Sequence, residues 1–352
     1  MSSAASNDIS SVPVPERLVD AVRRNLKLAD TTPVYLKEVV DFTNINYIYR
    51  VEIPERSLYI KVVPERPKRF PVRLSPERVF SEAEGLRRFR SLVNGLLIIP
   101  EVLFVDREEM ALGMSDVGED RQVLFGVISQ EFDLLGEQAK ALGTALGRIH
   151  RGTRNAGSFR PPEEEAVLLK VIFDGLLGPG AQQVFPEAWD ELKNEMLSHQ
   201  ECLIHGDLWT KNLLVRKGTP VALVDFEGVC YGDPAFDLGT LIAVALLPAL
   251  DMQVPISEAL SFTSEMLSNW STSCGSEAWA REVLPRAFRA TACFLATRGF
   301  GPFAYQLSDR GREQLKQLCH ALVNEPPSEL DAFHAFVKHH VDSTSLVPNE
   351  AS

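Results

Sequence analysis

A short, ordered set of polar residues constrains this chain more than any other feature. Asp207 is followed five positions later by Asn212, and a second acidic pair, Asp225 and Glu227, begins thirteen residues after that Asn. The second pair follows the apolar run 221–224, which is typical of a short buried strand. Carboxylate and amide oxygens are the ligands that Mg²⁺ prefers. The order predicts a site in which one carboxylate handles a proton while the others hold a metal ion.

The same order is the one that phosphoryl transfer requires, because that reaction depends on positioning and on neutralising phosphate charge. Asp207 is predicted to accept or orient the proton of the attacking hydroxyl, and Asn212, Asp225 and Glu227 to bind magnesium. In protein kinases the corresponding motifs read His-Arg-Asp, with an Asn five positions later, and Asp-Phe-Gly. Here they read His-Gly-Asp and Asp-Phe-Glu. His205, counted with the catalytic loop, is expected to order it rather than to act as acid or base. The pattern predicts an ATP-dependent kinase.

These motifs carry a resemblance to a known family. With 205–207 and 225–227 as they stand, the chain resembles the aminoglycoside phosphotransferase and choline kinase superfamily, and within it the methylthioribose kinases. Segment 231–239 resembles the family segment in which a buried Asp, here Asp237, braces the catalytic loop. The resemblance covers roughly residues 30–320. It implies an α+β, bilobal protein-kinase-like fold, with a small antiparallel β-sheet lobe and a larger, mainly helical lobe.

The length and composition favour two lobes of unequal size, since 352 residues are many for one compact core. We expect polar tails at 1–14 and 341–352, a nucleotide-binding lobe at 15–113, a hinge at 114–118, and a catalytic and acceptor-binding lobe at 119–340.

In the first lobe, alternating apolar residues at 47–53 and 58–63 predict an antiparallel hairpin. Lys61 lies in its second strand, where the kinase pattern has its phosphate-contacting Lys. A helix is predicted over 75–87, with a Ser cap and a Pro in the first turn. The resemblance implies that Glu82, with Glu84 as the alternative, pairs with Lys61.

The segment expected to contact the nucleotide is 41–51, which resembles the family's strand-loop-strand but lacks its glycines. Glycine normally permits close approach of the backbone to phosphate. Thr43 and Asn44 are therefore expected to contact the nucleotide through their side chains. The resemblance further implies that the backbone around Met114 to Asp116 binds the edge of adenine.

The second lobe is predicted to be helical at 137–150, 186–199, 237–250 and, with breaks, 279–337. The glycines within 142–150 are expected to permit close helix packing rather than to mark a ligand site.

The acceptor site is less defined by the sequence. Trp209 is expected to pack or to form a wall of the acceptor pocket, and the resemblance implies a substrate contact for Arg298. Lys211 could reach the γ-phosphate or face solvent. A sugar-like or small alcohol acceptor is predicted, with an aminoglycoside or choline-type acceptor as the alternative. A catalytically silent nucleotide-binding regulatory protein is the alternative of another class.

Composition excludes several other classes. A net charge of -12 argues against nucleic acid as a partner, because nucleic-acid binding needs clustered Lys and Arg. Five cysteines without Cys-X-X-Cys spacing indicate neither a disulfide framework nor a zinc site. The N-terminus lacks the features of a signal peptide, and the longest apolar run, 241–250, is too short to span a bilayer. We expect a cytoplasmic protein without a membrane partner, and a homodimer is left open.

Overall fold

The computed structural model describes residues 15–39, 45–68, 73–118, 120–124, 135–157, 159–251 and 254–342. Its contacts divide the chain into two compact units. The first comprises the described residues up to Ser91 together with Ile99–Asp120, and the second comprises Leu92–Ile98 with the described residues from Arg121 onward. Residues 92–98, expected in the first lobe, belong to the second unit.

The first unit contains a five-stranded antiparallel sheet in the order β1-β2-β3-β5-β4. Its strands are β1 (Tyr35–Glu38), β2 (Tyr47–Ile53), β3 (Arg56–Val62), β4 (Val102–Asp106) and β5 (Ala111–Ser115). Helix α1 (Pro15–Leu26) contributes Leu18 and Val22 to the sheet's core, where they pack with Val51, Ile60 and Phe104. Apolar burial between this helix and the alternating strand residues stabilises the unit.

The predicted hairpin is confirmed as β2 and β3, which pair from Tyr47 opposite Val62 to Ile53 opposite Arg56. The second strand begins two residues earlier than the alternation of apolar residues indicated. Lys61 lies between Ile48 of β2 and Leu112 of β5. It therefore projects from a central strand, and it is buried.

The predicted helix after the hairpin is α2 (Arg78–Val93), which begins three residues later and ends six residues later than expected. Ser75 Oγ accepts the amide hydrogen of Glu77 in the turn before the helix. Buried Val79, Leu86 and Phe89 continue at helical spacing, which explains the extension.

The second unit combines short strands with many helices. Strands β6 (Gln122–Val123), β8 (Leu213–Val215) and β9 (Ala222–Leu223) form one small sheet, and β7 (Cys202–Ile204) pairs with β10 (Cys230–Gly232) in another. The helices are α3 (Gly136–Gly152), α4 (Pro162–Lys170), α5 (Gly178–Val184), α6 (Pro186–Ser198), α7 (Pro234–Leu250), α8 (Ile256–Ser273), α9 (Glu277–Phe300), α10 (Asp309–Asn324) and α11 (Leu330–Asp342). A π-helical segment, Val171–Leu177, joins α4 to α5.

Helices α3 and α8 cross closely, and two glycines permit this. A Cβ at Gly143 would lie 2.0 Å from the carbonyl oxygen of Met266, and one at Gly147 would lie 2.9 Å from that of Trp270. These distances confirm that the glycines of 142–150 serve helix packing.

The predicted fold class is confirmed by an antiparallel sheet in one unit and a mainly helical second unit. Helices α1, α4, α5 and α8 were not predicted, and α11 runs on to Asp342, into the segment expected to be a tail. The expected tail at 1–14 lies outside the described residues. In the part of the chain that the structure describes, no helix has both the length and the apolar character needed to cross a membrane.

Candidate active site

The loop that follows β7 is fixed by one buried carboxylate on α7. Asp237 accepts the backbone N–H of His205 at 2.8 Å through Oδ2 and that of Gly206 at 3.0 Å through Oδ1. Asp237 is fully buried, in the first turn of α7. Hydrogen bonds to an ionised acceptor are stronger than those between neutral groups. The position predicted to brace the loop therefore makes two direct contacts with its backbone.

A second layer of contacts orients Asp237. The His150 Nε2 atom lies 3.4 Å from Asp237 Oδ2, and Trp270 Nε1 donates to His150 Nδ1 at 3.0 Å. Because an indole N–H can only donate, Nδ1 must be the acceptor, which leaves Nε2 as the protonated nitrogen facing Asp237. Helices α3, α7 and α8 are thus linked behind the loop.

The two motif loops touch through a pair of glycines. Gly206 has φ +76, and a Cβ there would lie 2.3 Å from the carbonyl oxygen of Gly228. His205 is buried beside them, with its ring edge against Phe226 at a centroid distance of 4.7 Å. Its Nδ1 accepts the amide hydrogen of Asp207 at 3.3 Å. These contacts suit a residue that orders the loop.

Asn212 and Asp207 lie side by side. The Asn212 Nδ2 atom donates to Asp207 Oδ2 at 2.7 Å and to the Asp207 carbonyl oxygen at 2.9 Å. Strands β8 and β9 are antiparallel, and the amide of Val224 donates to the carbonyl oxygen of Asn212 at 3.0 Å. This hairpin explains the thirteen-residue spacing, since it returns the chain so that Val224 lies opposite Asn212 and Asp225 is the next residue.

The carboxyl group of Asp207 has a strongly shifted pKa. Burial and the negative charges of Asp225 and Glu227 raise it to about 7, although Arg298 and the hydrogen bond from Asn212 act in the opposite direction. Both acidic side chains lie within electrostatic range of Asp207. A carboxyl group with a pKa near neutrality can take up a proton from a hydroxyl.

The donor set fits a magnesium ion. With the Asn212 amide nitrogen engaged by Asp207, its oxygen is the atom that could meet a cation, and Asp225 and Glu227 add carboxylates. Across the described ranges, no three His, Cys, Asp or Glu side chains form a metal-binding group. Magnesium does not need one, because it usually takes one or two protein carboxylates and completes its shell with water and phosphate oxygens.

Trp209, Arg298 and Tyr305 form a cluster beside Asp207. The Arg298 guanidinium carbon lies 4.0 Å from the centroid of the Trp209 ring, and Trp209 Nε1 donates to the Tyr305 hydroxyl at 3.0 Å. The Tyr305 amide donates to the Arg298 carbonyl oxygen at 2.7 Å. Burial lowers the pKa of Arg298, and the charge of Asp207 partly offsets this. Partial desolvation and the positive charge of Arg298 lower the pKa of Lys211.

In the first unit, Lys61 and Glu82 form a buried ion pair with Nζ to Oε1 at 2.8 Å. The alternative partner, Glu84, instead pairs with Arg88 one turn along the surface of α2. A lysine held in this way presents a fixed positive charge, which suits phosphate binding.

Of the other residues expected to contact the nucleotide, the structure describes Met114 and Asp116. Met114 lies in β5, opposite Tyr59 of β3. Asp116 is the first residue after β5. The Asp116 carboxylate accepts hydrogen bonds from Ser57 Oγ at 2.7 Å and from the Gly118 amide at 2.8 Å. Thr43 and Asn44 lie outside the described residues.

Three residues of the site were not predicted from the sequence: His150, Tyr305 and Arg160, which donates a hydrogen bond to the carbonyl oxygen of Glu227. His150 ends an expected helix, so its register could have marked it as inward-facing. Tyr305 lies in an irregular segment, and no periodicity signals its partner.

A sheet unit with a buried Lys–Glu pair and a mainly helical unit with Asp207, Asn212, Asp225 and Glu227 define the fold class as protein-kinase-like. A sequence profile of the phosphotransferase enzyme family matches residues 45–257. The chain belongs to this family.

Individual relatives are more distant. A methylthioribose kinase of Bacillus cereus is 25% identical over 275 residues, covering 68% of this chain and 67% of that kinase. A 4-hydroxytryptamine kinase of Psilocybe cubensis is 26% identical over 172 residues, covering 42% of this chain and less than half, 46%, of its own length.

Solved structures show the same fold at low identity. An amicoumacin kinase solved with AMP-PNP and Ca²⁺ has a TM-score of 0.55 at 17% identity, covering 85% of this chain and 91% of that one. A choline/ethanolamine kinase family protein from Mesorhizobium loti has a TM-score of 0.50 at 20% identity, covering 91% and 99%. The recognition made from the motifs is confirmed at the level of the family.

Proposed function

We propose that this protein transfers the γ-phosphoryl group of ATP, with Mg²⁺, to a hydroxyl of a neutral sugar-like or small alcohol acceptor. The observation that carries the proposal is the Asp207–Asn212 hydrogen bond of 2.7 Å, with Asp225 and Glu227 close enough to shift the pKa of Asp207. This combines a proton acceptor with oxygen donors for a cation, as phosphoryl transfer requires.

Each residue has a distinct part in this proposal. Asp207 orients the acceptor hydroxyl and takes its proton, and Asn212 fixes the rotamer of that carboxylate through its amide nitrogen. Asn212, Asp225 and Glu227 would hold the metal, which neutralises phosphate charge when bound. In the first unit, Lys61, held by Glu82, would steady the phosphates of ATP.

The charge beside Asp207 supports a neutral acceptor. The Arg298 guanidinium interacts electrostatically with Asp207, so a positive charge lies beside the proposed acceptor position. In the described part of the chain, Arg298 has a cation–π contact with Trp209 but no side-chain hydrogen bond to a protein acceptor. Its N–H donors suit the hydroxyl oxygens of a polyol, and its charge disfavours a cationic group of an amino alcohol or aminoglycoside next to it.

The relatives' names are consistent with more than one acceptor. Methylthioribose kinases act on a sugar derivative, and the 4-hydroxytryptamine kinase acts on an aromatic amine. The positive charge at Arg298 favours the first kind of acceptor over the second.

The proposal is tested with a panel of alcohols, ATP and Mg²⁺, with ATP consumption and product mass as readouts. The panel pairs neutral pentoses and their thioether derivatives with choline, ethanolamine and aminoglycosides. Turnover of a neutral member at a higher kcat/KM than every cationic member is expected. ATP binding with no phosphorylated product from any alcohol would instead support the silent regulatory alternative.

A further inference from the structure

Arg160 is a buried arginine whose hydrogen bonds reach the segment that carries the acidic motif. It lies just before α4 and is 3% exposed. Its Nε donates to the carbonyl oxygen of Val229 at 2.6 Å, and its Nη2 donates to that of Glu227 at 2.6 Å. Its Nη1 donates to the carboxylate of Glu164. The guanidinium thus joins two carbonyl oxygens of one short segment, while the Glu164 carboxylate in the first turn of α4 holds it in place.

This geometry depends on the shape of the guanidinium. Its planar fork carries several donors in fixed directions, whereas the ammonium of a lysine is a single point on a flexible stem. A lysine at 160 could keep the charge but could not hold both carbonyl oxygens at once.

Further contacts fasten the same two segments together. Glu165 Oε1 accepts the amide hydrogen of Tyr231 at 3.2 Å. The Tyr231 hydroxyl donates to the carbonyl oxygen of Thr153 at 2.7 Å and accepts the amide hydrogen of Ala156 at 2.6 Å. These hydrogen bonds therefore hold the chain on both sides of Cys230, the first residue of β10. Those of Arg160 are the nearest in sequence to the acidic motif, Asp225 and Glu227.

The segment held in this way begins with an unusual backbone conformation. Asp225 has φ +64 and ψ 73, a left-handed conformation that a residue other than glycine adopts at a cost of about 1–3 kcal/mol. Such a conformation persists only when the surrounding structure enforces it. Arg160 contacts the backbone two and four residues further on, inside and after the turn Phe226–Gly228.

We propose that Arg160 is a positioning residue for the metal-binding carboxylates, which it controls by fixing the backbone from Glu227 to Val229. The inference rests on the proposed function, because it assigns a structural cause to the placement of Asp225 and Glu227. Loss of the fork lets the turn relax and displaces both carboxylates. Residues that orient metal ligands typically change metal affinity by about 10–100-fold when they are mutated.

The test measures metal binding without turnover. Mn²⁺, a spectroscopic substitute for Mg²⁺, is titrated into the full chain with ADP present, and free Mn²⁺ is followed by electron paramagnetic resonance. Arg160→Lys is compared with Arg289→Lys, which alters another arginine of the second unit that pairs with Glu191 and Glu195. The melting temperature of each metal-free variant is recorded in parallel.

Arg160→Lys is expected to raise the Mn²⁺ dissociation constant about 10-fold or more, and Arg289→Lys to leave it unchanged. An unchanged constant in Arg160→Lys, or an equal rise in both variants, would overturn the inference. If Arg160→Lys does not fold, Glu164→Gln decides: it removes only the carboxylate that orients Arg160, so a smaller rise is expected and no rise contradicts the proposal. Wild-type protein that binds ADP but no Mn²⁺ would refute the proposed function itself, which separates the two failures.

Discussion

Asn212 donates its side-chain N–H to the Asp207 carboxylate at 2.7 Å and to the Asp207 carbonyl oxygen at 2.9 Å, which fixes one end of the catalytic loop to the other. The amide nitrogen is used within the loop, so the amide oxygen is the atom left for the proposed metal ion. One side chain would therefore set both the rotamer of the proposed base and one position of the proposed metal shell.

Replacing Asp207 by Asn is expected to lower kcat by about 10²–10⁴-fold, because the variant cannot accept the proton of the acceptor hydroxyl. The Asn side chain is nearly the same size and can still accept the Asn212 hydrogen bond, so ATP affinity should change little. Steady-state kinetics and nucleotide titration measure the two effects. A kcat close to that of the wild type would remove Asp207 from the mechanism.

The same variant should stabilise the metal-free protein at high pH. A carboxyl with a raised pKa binds its proton more tightly in the folded state, so the wild type loses stability as pH rises from the ordinary carboxyl value of about 4 to about 7. Asn at 207 does not ionise and avoids this loss. With chelator present, the melting temperature of Asp207→Asn should exceed that of the wild type at pH 8 and match it near pH 4. A difference independent of pH would contradict the assigned pKa.

Glu82 and Glu84 provide a matched comparison within one helix. Glu82→Gln removes the charge that pairs with buried Lys61, which is expected to cost about 3–5 kcal/mol of unfolding free energy and to raise the KM for ATP. Glu84→Gln breaks only a surface pair with Arg88, so a change within about 0.5 kcal/mol is expected. Urea unfolding of both variants makes the comparison. Similar losses of unfolding free energy in the two variants would show that the buried Lys61–Glu82 pair stabilises the protein no more than the surface pair does.

Gly206 and Gly218 share a left-handed backbone but differ in their surroundings. Ala at Gly218 meets open space, so only the conformational cost of about 1–2 kcal/mol applies. Ala at Gly206 would place its Cβ 2.3 Å from the Gly228 carbonyl oxygen and force the two motif loops apart. Gly206→Ala should therefore lose both more stability and most activity, whereas Gly218→Ala keeps its activity. Thermal unfolding and the ATP-consumption assay report the two effects, and equal activity in both variants would disprove the contact's role.

Arg298 should determine how strongly the enzyme prefers neutral over cationic alcohols. Arg298→Gln removes the positive charge beside Asp207 while keeping N–H donors. The ratio of kcat/KM for a neutral over a cationic alcohol is expected to fall by about tenfold, equivalent to about 1.4 kcal/mol. The measurement uses the best neutral substrate with choline or an amino alcohol as competitor. A constant ratio would show that Arg298 does not contact the acceptor electrostatically.

The motif residues could be found from the sequence because their chemistry is local. Asp207 and Asn212 share one loop, and Lys61 lies in a strand whose alternation of apolar residues is visible. Fixed spacing and residue type are enough to predict such groups. Glu82 was separable from Glu84 only by resemblance, and it is the tertiary structure that turns Glu82 inward.

The supporting residues could not be found in this way. Arg160 contacts a carbonyl 67 positions further along the chain, and Tyr305 accepts a hydrogen bond from Trp209 at a separation of 96 residues. The link from Arg160 to the acidic motif leaves no pattern in the sequence, because Glu227 and Val229 contribute only their backbone carbonyl oxygens to it.

The sequence by itself determined the two-part fold, the family, and the polar side chains of the candidate site, because periodicity and motif order are properties of neighbouring residues. Only the tertiary structure decided which groups hold those side chains in place. The tertiary structure determines the raised pKa of Asp207, the left-handed backbone at Asp225 and the hydrogen bonds from Arg160 to the turn that follows. Burial and hydrogen-bond geometry arise only when distant segments pack together.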